Sequence, residues 1–434
     1  MKKIVLSLAG VMAAVAFAPE ASALPAFARQ TGMACSACHN QHFPVLNGFG
    51  RAFKAAGYTM MGAQEKVEGE HLSIPAVMNA ALLAKVRYQK DNTQKAGPAG
   101  TKLAPGDGMV QFGDEFSLFF GGRVGENIGF LFEGNTVAAG AQLLAGFKMP
   151  FNFETSAANL IVVPFTTDAL DAQYGYELSS GGVMRANRWA EHRRETSAIQ
   201  YNADRFGTGA ATGVALAAKN DMGFAAFTRY STNFGMGANG GGVPSYSMGS
   251  SLFRIAATPE VAGFSLVTGV SAWRGRSWVS GAVAPQIAGE MNTEQTAVDL
   301  QAQGALGDNE LSVYAQFATA PATLASTGVA NIYNPTGVVS RKATTIGADY
   351  SLIPHVLHIG GAFRAAHTGG QNVGGALSDN AATVTVVYDL VQNVALHINH
   401  SEYTGSAHAL QAGAAQVTAP AVKRLTTFML EAAW

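Results

Sequence analysis

Residues 294–319 have the sequence EQTAVDLQAQGALGDNELSVYAQFAT, and this stretch indicates the fold of most of the chain. Val298, Leu300 and Ala302 alternate with Asp299, Gln301 and Gln303, and the same alternation runs from Leu311 to Ala318. A period of two residues predicts β-strands with one apolar and one polar or small face. Gly307 to Asn309 predict a short turn between the two strands. The stretch is therefore predicted to form an antiparallel hairpin.

The same alternating pattern recurs along the chain after residue 71 and predicts sixteen strands. The predicted strands cover residues 72–90, 111–123, 127–136, 140–149, 157–166, 211–219, 222–230, 251–258, 262–273, 294–305, 310–319, 341–352, 355–364, 381–390, 393–403 and 423–434.

The connections between the predicted strands alternate between short and long. Short turns are predicted at 220–221, 259–261, 307–309, 353–354 and 391–392, and long loops at 231–249, 274–293, 320–340, 367–379 and 404–422. Transmembrane barrels have short periplasmic turns and longer extracellular loops. The pattern predicts an all-β transmembrane barrel of about 16 antiparallel strands at residues 72–434, with a soluble β-sandwich or barrel as the alternative.

The composition excludes several other classes. Only 13% of the 434 residues are charged, whereas 50 are Gly and 48% are hydrophobic. The 40 aromatic residues argue against a disordered chain, and after the N-terminus no apolar run is long enough for a transmembrane helix. The net charge of −1, without a basic block, argues against nucleic acid as a partner. Low charge suits strands of which one face contacts outer-membrane lipid.

The N-terminus has the pattern of an export signal. Lys2 and Lys3 precede an apolar stretch at residues 4–18, and Ala21-Ser22-Ala23 is a small-x-small cleavage pattern. Residues 1–23 are predicted to be a signal peptide, with an uncleaved membrane anchor as the alternative. Export is consistent with the outer membrane of a Gram-negative bacterium.

The two cysteines of the chain, Cys35 and Cys38, lie in the sequence Cys-Ser-Ala-Cys-His, which ends at His39. This C-x-x-C-H spacing is typical of haem c attachment: the thiols form thioethers with the haem vinyl groups, and the histidine ligates the iron as the proximal ligand. One motif predicts one haem c. The alternatives are a redox disulfide and half of a zinc site, but no second cysteine pair exists to complete a zinc site.

The second axial ligand of the haem iron must come from another Met, His or similar residue. Apolar residues at helical spacing predict a helix within 43–58 that ends at Gly57, after which Met60 is the first distal-ligand candidate. Met61 and His42 are the alternatives, and His71 is a further candidate.

The longest predicted connection, residues 167–210, does not follow the strand pattern. Arg185, Arg188, His192, Arg193 and Arg194 cluster around Trp189 in this connection. It is predicted to be either a charged, solvated loop or a segment that folds into the lumen and offers arginines to haem propionates. Within it, residues 196–201 are predicted as a possible extra strand. On the strands, candidate lumen-facing residues are Glu133, Arg254, Asp299, Asp349, His358 and His397.

The N-terminal region also carries a family resemblance. The run PAFARQTG at residues 25–32, the motif at 35–39, Phe43-Pro44 and the run FGRAFKAAGY at residues 49–58 resemble the fused monohaem cytochrome-porins, which are outer-membrane iron oxidases of iron-oxidising bacteria. The resemblance covers about the first 70 residues. It implies covalent haem at Cys35 and Cys38 and proximal ligation by His39. It also implies an iron oxidase that takes electrons from extracellular Fe(II) and passes them to a periplasmic c-type cytochrome.

Physical size leads to a hypothesis about where the haem region lies. Residues 24–71 are predicted to be a small α-helical c-type cytochrome domain about 25 Å across by radius-of-gyration scaling, and the barrel lumen has a similar width. Because the apolar band is about 25 Å tall, haem in the lumen would lie nearer to an extracellular donor than haem below the membrane. The domain is therefore predicted to enter the lumen. The alternatives are a reductase of an extracellular acceptor with the same architecture, and a diffusion porin with an accessory haem segment.

Overall fold

A computed structural model describes residues 25–39, 45–62, 64–92, 108–136, 144–167, 170, 174, 192–203, 211–232, 248–279, 289–323, 329–335, 337–372, 374–408 and 423–434. The predicted signal peptide lies outside the described residues. Among the helices in these ranges, none is long and apolar enough to cross a membrane.

The described residues of the N-terminal part form three short helices and one small sheet. The helices are α1 (Pro25–Thr31), α2 (Cys35–Cys38) and α3 (Gly48–Ala55). They are followed by the antiparallel hairpin β1 (Lys66–Gly69) and β2 (Leu72–Pro75), which forms a sheet of its own.

The rest of the described chain is dominated by a closed antiparallel barrel. Its strand segments are β3 (Ala80–Asp91), β4 (Met109–Gly125), β5 (Ile128–Asn135), β6 (Leu144–Lys148), β7 (Phe151–Glu154), β8 (Asn159–Thr167), β9 (Ala211–Lys219), β10 (Gly223–Ser231), β11 (Ser250–Ala257), β12 (Glu260–Val261), β13 (Phe264–Val279), β14 (Gly289–Asn292), β15 (Gln295–Leu306), β16 (Asn309–Ala320), β17 (Arg341–Ile353), β18 (Leu357–Asn372), β19 (Gly375–Ser378), β20 (Asn380–Val391), β21 (Val394–Thr404) and β22 (Arg424–Ala433). Two more helices, α4 (Arg193–Thr196) and α5 (Ala198–Ala203), precede β9, and a 3-10 turn covers Ser406–His408.

The barrel wall consists of sixteen strands. Four crossings are each divided by a short break into two segments, namely β6 with β7, β11 with β12, β14 with β15, and β19 with β20. The barrel closes where β22 pairs with β3, and the terminal residue Trp434 exchanges backbone hydrogen bonds with Leu82. This confirms the predicted sixteen-stranded antiparallel barrel.

Alternation along the strands separates a lumenal face from an outer face. On β15, Val298 is 48% exposed and Leu300 is 43% exposed, whereas Asp299 between them is 2% exposed. Phe317 on β16 is likewise exposed, and its neighbour Gln316 is buried. The outer face is apolar and the inner face is polar, which is the arrangement of an outer-membrane barrel.

Several predicted boundaries were wrong. The predicted strand 72–90 is two elements, because residues 72–75 pair with β1 and the barrel strand begins at Ala80. The predicted turn 259–261 lies at 262–263 instead, since Glu260 and Val261 pair with the start of β13. The predicted loops 274–293 and 367–379 are partly strand because β13 and β18 each run for 16 residues, more than the roughly 9–11 needed to span a bilayer.

Candidate functional site

The predicted haem-attachment motif occupies the single-turn helix α2 and the residue after it. Cys35 and Cys38 are half-buried free thiols. His39 is buried, and its backbone N–H donates to the carbonyl of Cys35 at 2.9 Å. Burial raises the pKa of Cys35 to about 11, and burial also raises the pKa of Cys38. Both groups are therefore protonated thiols at neutral pH.

Helix α3 packs directly against the motif. The Asn47 side chain caps α3 by accepting from Gly50 N at 2.9 Å, and it donates to the carbonyl of Ala37 at 3.1 Å. A Cβ on Gly50 would lie 2.1 Å from the carbonyl oxygen of Cys38. Only glycine permits this close approach of α3 to α2.

The N-terminal segment has a small aromatic core of its own, formed by Phe27, Phe53 and Tyr58. The Phe27 ring stacks on Tyr58 at 4.8 Å and meets the edge of Phe53 at 5.3 Å between centroids. Phe53 and Tyr58 are 5.7 Å apart. These contacts join α1, α3 and the turn after α3 into one unit, residues 25–62, which is called the N-terminal segment below.

Gln30 connects this segment internally and to the barrel. Its side-chain nitrogen donates to the carbonyls of Tyr58 at 2.6 Å and Met60 at 2.8 Å, and its side-chain oxygen accepts from Arg123 N at 3.1 Å. The distal-ligand candidates Met60 and Met61 are half-buried, and the contacts that position Met60 are with α1. Neither is thereby established as a ligand.

The other two distal-ligand candidates differ in their surroundings. His42 lies outside the described residues. His71 lies at the tip of the β1–β2 hairpin, where its side chain is 93% exposed and 3.8 Å from Glu70. Among the described residues, the structure does not bring His71 to the motif.

The N-terminal segment lies inside the short-turn end of the barrel. Arg51 of α3 donates to Gln303 at 2.6 Å and to Ser265 at 2.9 Å, both on lumenal wall positions near the short turns. Ala26 of α1 packs with Ala81, Leu83, Phe119 and Ala433 of the wall. A Cβ on Gly129 of β5 would lie 1.9 Å from the carbonyl oxygen of Gly57, so this part of the wall accommodates the segment only with glycine.

A polar group of the barrel wall lies close to the motif. Asp389 of β20 is near enough to Cys35 to contribute, after burial and the neighbouring Cys38, to the raised pKa of that thiol. The Asp389 carboxylate lies 3.2 Å from His358 Nε2, and His358 Nδ1 lies 2.9 Å from Ser351 Oγ. The sequence pointed to His358 as a lumenal residue but did not associate it with the motif.

Five of the six predicted lumen-facing residues are buried inside the barrel: Arg254, Asp299, Asp349, His358 and His397. Glu133 is half-buried on the same face of β5 as Leu131, which packs with the wall cluster around Ala26. The structure brings two of the six together, because Arg254 donates to both carboxylate oxygens of Asp299, at 2.6 and 3.0 Å. Among the described residues, no group of three or more His, Cys, Asp or Glu side chains forms a metal site.

A second stretch, residues 192–203 with helices α4 and α5, also lies in the lumen, nearer the long-loop end. The predicted extra strand at 196–201 was wrong, because this stretch is helical. His192 contacts Ser401 Oγ at 2.6 Å and Thr427 Oγ1 at 3.0 Å. The Tyr201 hydroxyl donates to Asp379 at 3.0 Å, and the Tyr201 ring lies 4.4 Å from the Arg364 guanidinium.

Of the arginine cluster predicted around this stretch, Arg185, Arg188 and Trp189 lie outside the described residues. The carbonyl of Arg194 accepts from Arg364 at 2.9 Å. Arg193 and Arg194 belong to α4, and the residues around them pack inside the barrel, which agrees with the predicted lumenal segment, although the Arg194 side chain itself is exposed. The predicted contact of these arginines with haem propionates stays a prediction.

The residues of the site suit a covalently attached haem. Two free thiols lie on one helical turn, and the adjacent His39 is buried. The aromatic core of Phe27, Phe53 and Tyr58 lies in the same segment. Gln30 and Arg51, which bind the N-terminal segment to the wall, lie in the sequence runs that carry the family resemblance. The sequence did not identify their partners on the wall.

Comparison with known proteins found similar solved structures. No protein-family model matches the chain, and no curated protein matches it. Similar solved structures include an anion-selective porin from Comamonas acidovorans (12% identity, TM-score 0.46, covering 82% of this chain and 98% of that one). Another is the outer membrane channel DcaP of Acinetobacter baumannii (11% identity, TM-score 0.47, covering 82% and 97%). A third is Salmonella typhi OmpF in complex with daunomycin (10% identity, TM-score 0.47, covering 85% and 100%).

These similarities concern the fold, and the classification depends on the barrel itself. A closed barrel of sixteen antiparallel strands with a polar lumen and an apolar outer face defines a porin-like outer-membrane protein.

Proposed function

We propose that this protein is an outer-membrane electron-transfer protein that carries one haem c on a segment seated in the barrel mouth. The observation that carries the proposal is the position of the C-x-x-C-H motif, residues 35–39, on a segment held inside the lumen by Arg51 and Gln30. A lumenal segment shortens the path between the two sides of the membrane, compared with a domain suspended in the periplasm.

In this proposal Cys35 and Cys38 hold the haem covalently and His39 is its proximal ligand. Met60 is the first candidate for the distal ligand, with Met61 and His42 as alternatives. When bound, haem c supplies a one-electron Fe(III)/Fe(II) couple. The chain's own contribution is to orient the motif, through Asn47 and the Gly50 contact, and to surround it with wall residues such as Asp389.

Following the family resemblance, we propose extracellular Fe(II) as the electron donor and a periplasmic c-type cytochrome as the acceptor, which makes the protein an iron oxidase. Outer-sphere transfer from iron requires no dedicated iron site. The opposite direction, reduction of an extracellular acceptor, uses the same residues and is distinguished by reduction potential.

The fold by itself favours a second candidate, a diffusion porin with an accessory haem segment. A sixteen-stranded barrel lined by polar residues is the architecture of such channels. Among the described residues, the N-terminal segment and residues 192–203 lie at opposite ends of the lumen, and this observation favours restricted passage over free diffusion.

One set of measurements on the purified protein in lipid tests both candidates. We expect one covalent haem per chain, a reduced α-band within seconds of adding Fe(II) at neutral pH, and low single-channel conductance. Cys35→Ala with Cys38→Ala should abolish covalent haem and the α-band without loss of barrel folding. A large open-pore conductance, with haem that Fe(II) does not reduce, would establish the porin with an accessory haem segment. A haem whose potential lies well below that of the iron couple, with no reduction by Fe(II), would exclude iron oxidation.

The distal ligand is tested by comparing Met60→Ala with Met61→Ala. If Met60 is the ligand, only the first change should alter the haem spectrum and lower the reduction potential, because a thioether ligand raises the potential relative to imidazole. An unchanged spectrum and potential in Met60→Ala would eliminate it.

A further inference from the structure

The hairpin β1–β2 presents an exposed apolar face. Val67 pairs with Ile74, and Gly69 pairs with Leu72, so the side chains of Val67, Leu72 and Ile74 lie on one face. These three side chains are 48%, 45% and 49% exposed. The other face carries Lys66 and Glu68, whose charged groups lie 3.7 Å apart. An isolated two-stranded sheet is only marginally stable in water. A partner that buries this apolar face would therefore stabilise the hairpin.

The hairpin stands beside the N-terminal segment at the short-turn end. It follows that segment directly in the chain, and Gln64 donates to Asn79 at 2.5 Å, immediately before the first barrel strand. Val77 and Met78, in the same connection, are 62% and 66% exposed. Any protein that covers this surface therefore lies next to the mouth that holds residues 35–39.

The rim around this mouth is acidic. Five of the seven short turns carry an exposed carboxylate in the turn or at the adjoining strand end: Glu126, Glu154, Asp221, Glu260 and Asp308. The basic side chains in the same five stretches, Arg123 and Lys219, are half-buried. The hairpin tip adds Glu68 and Glu70. Short turns of an outer-membrane barrel face the periplasm, so the acidic rim faces soluble periplasmic proteins.

We propose that the apolar hairpin face and the acidic rim form the docking surface for a small soluble electron carrier with a lysine-rich face around its cofactor edge. This inference rests on the proposed electron-transfer function. An apolar contact at one side of a mouth rimmed by opposite charges suits a transient redox complex, in which charge steers encounter and the buried area stays small. The acidic rim disfavours anionic lipid headgroups as the occupant, because like charges repel.

The test uses the full-length haem-loaded protein in lipid nanodiscs, reduced with dithionite that is then removed. Oxidised lysine-rich cytochrome c is the probe, and its reduction is followed by stopped flow at about 10 mM and about 200 mM salt. We expect the second-order rate to fall about tenfold between these conditions, because screening removes long-range attraction.

Two variants and one matched control locate the surface. Glu260→Gln with Asp308→Asn should lower the low-salt rate several-fold and flatten the salt dependence. Val67→Ser with Ile74→Ser should lower the rate several-fold at both salt concentrations, because it removes apolar contact. The control, Glu290→Gln with Glu402→Gln, neutralises two exposed carboxylates at the long-loop end and should leave the rate unchanged.

Haem content and folded-barrel gel mobility are measured for every variant before the probe is added. Absence of haem refutes the proposed function itself. Normal haem with a rate that is independent of salt and equal in all variants overturns the docking surface alone. A changed oligomeric mass in Val67→Ser with Ile74→Ser, at an unchanged rate, also overturns it and assigns the apolar face to a second copy of the chain.

Discussion

Two of the stretches that the structure describes inside the barrel lumen are held in different ways. The N-terminal segment at the short-turn end has its own aromatic core of Phe27, Phe53 and Tyr58. Arg51 donates to Gln303 and Ser265 of the wall, and Arg29 donates to the carbonyl of Ala80. Residues 192–203 at the long-loop end pack their apolar side chains into the wall cluster and are held by side-chain hydrogen bonds and ion pairs with several strands. The first has an internal aromatic core in addition to its wall contacts, whereas the second is held by wall contacts.

Because the two stretches are held differently, removing a wall contact should affect their stability differently. The N-terminal segment should keep its internal aromatic core when one wall contact is removed, but it should leave the lumen more often. A stretch held by wall contacts loses its own fold when its central contact is removed, and the wall loses stability with it.

The largest effect is expected for Arg364→Met. Arg364 is 2% exposed, pairs with the Asp379 carboxylate and donates to the carbonyl of Arg194. Removing one partner of a buried ion pair costs about 3–5 kcal/mol, so the free energy of unfolding should fall by that amount. Urea unfolding in detergent micelles, followed by tryptophan fluorescence, measures it.

Arg276→Met is the matched control for Arg364. Arg276 is 48% exposed and lies 3.4 Å from Glu290, and an exposed pair of this kind contributes about 0–1 kcal/mol. Equal losses in the two variants would show that the lumenal network does not stabilise the barrel more than a surface pair does.

A smaller effect is expected for Arg51→Met, because it removes two hydrogen bonds from a charged donor. At about 1.5–3 kcal/mol for each such hydrogen bond, release of the N-terminal segment should be at least about 10-fold more frequent. Protease cleavage within residues 25–62 of the folded barrel measures that release. Covalent haem content should stay unchanged, because the aromatic core does not involve Arg51.

A double-mutant cycle of Arg51→Met with Gln303→Leu isolates the wall contact. We expect a coupling free energy of about 0.5–3 kcal/mol between these positions. Additive effects on cleavage would mean that the 2.6 Å contact between them does not seat the segment.

The smallest expected effect is a pH dependence of the free energy of unfolding that comes from residues 192–203. Burial, followed by the charges of His400 and Arg87, lowers the pKa of His192 to about 3. The unfolded-state pKa is about 6.5, so the stability contributed by neutral His192 is complete above that pH and is lost as pH falls, by about 1.4 kcal/mol per unit. Unfolding free energies at pH 7 and 5.5 should therefore differ by about 1 kcal/mol from this group alone.

His192→Gln should remove this component, since Gln keeps hydrogen-bonding capacity with Ser401 and Thr427 but does not titrate. His71→Gln, at the exposed hairpin tip, is the control and should leave the pH dependence as it is. Persistence of the full slope in His192→Gln would assign it to other groups.

Local patterns were enough to predict most of the barrel. The alternation around Asp299 and Gln316 identified which side chains face the lumen, because successive strand residues point to opposite faces. The division of 72–90 at Ala76 was not predictable, because β2 has the same apolar alternation as a barrel strand and differs only in its partner, β1.

The candidate site was predictable only where its chemistry is local. Cys35, Cys38 and His39 act through adjacent positions, and their assignment to haem stays a prediction that chemistry must test. The contacts of Asp389 and Gln303 with the N-terminal segment were not predicted. A carboxylate or amide on a strand does not indicate which residue of a distant segment will lie next to it in the lumen.

The sequence by itself determined the strand period, the alternation of short and long connections, and the attachment motif, because each depends on residues that are close in the chain. Only the tertiary structure decided that residues 25–62 and 192–203 lie inside the barrel. Their positions depend on contacts between residues far apart, such as Arg51 with Gln303, 252 positions away, and Thr427 with His192, 235 away. Such contacts exist only after β22 pairs with β3 and closes the wall around them.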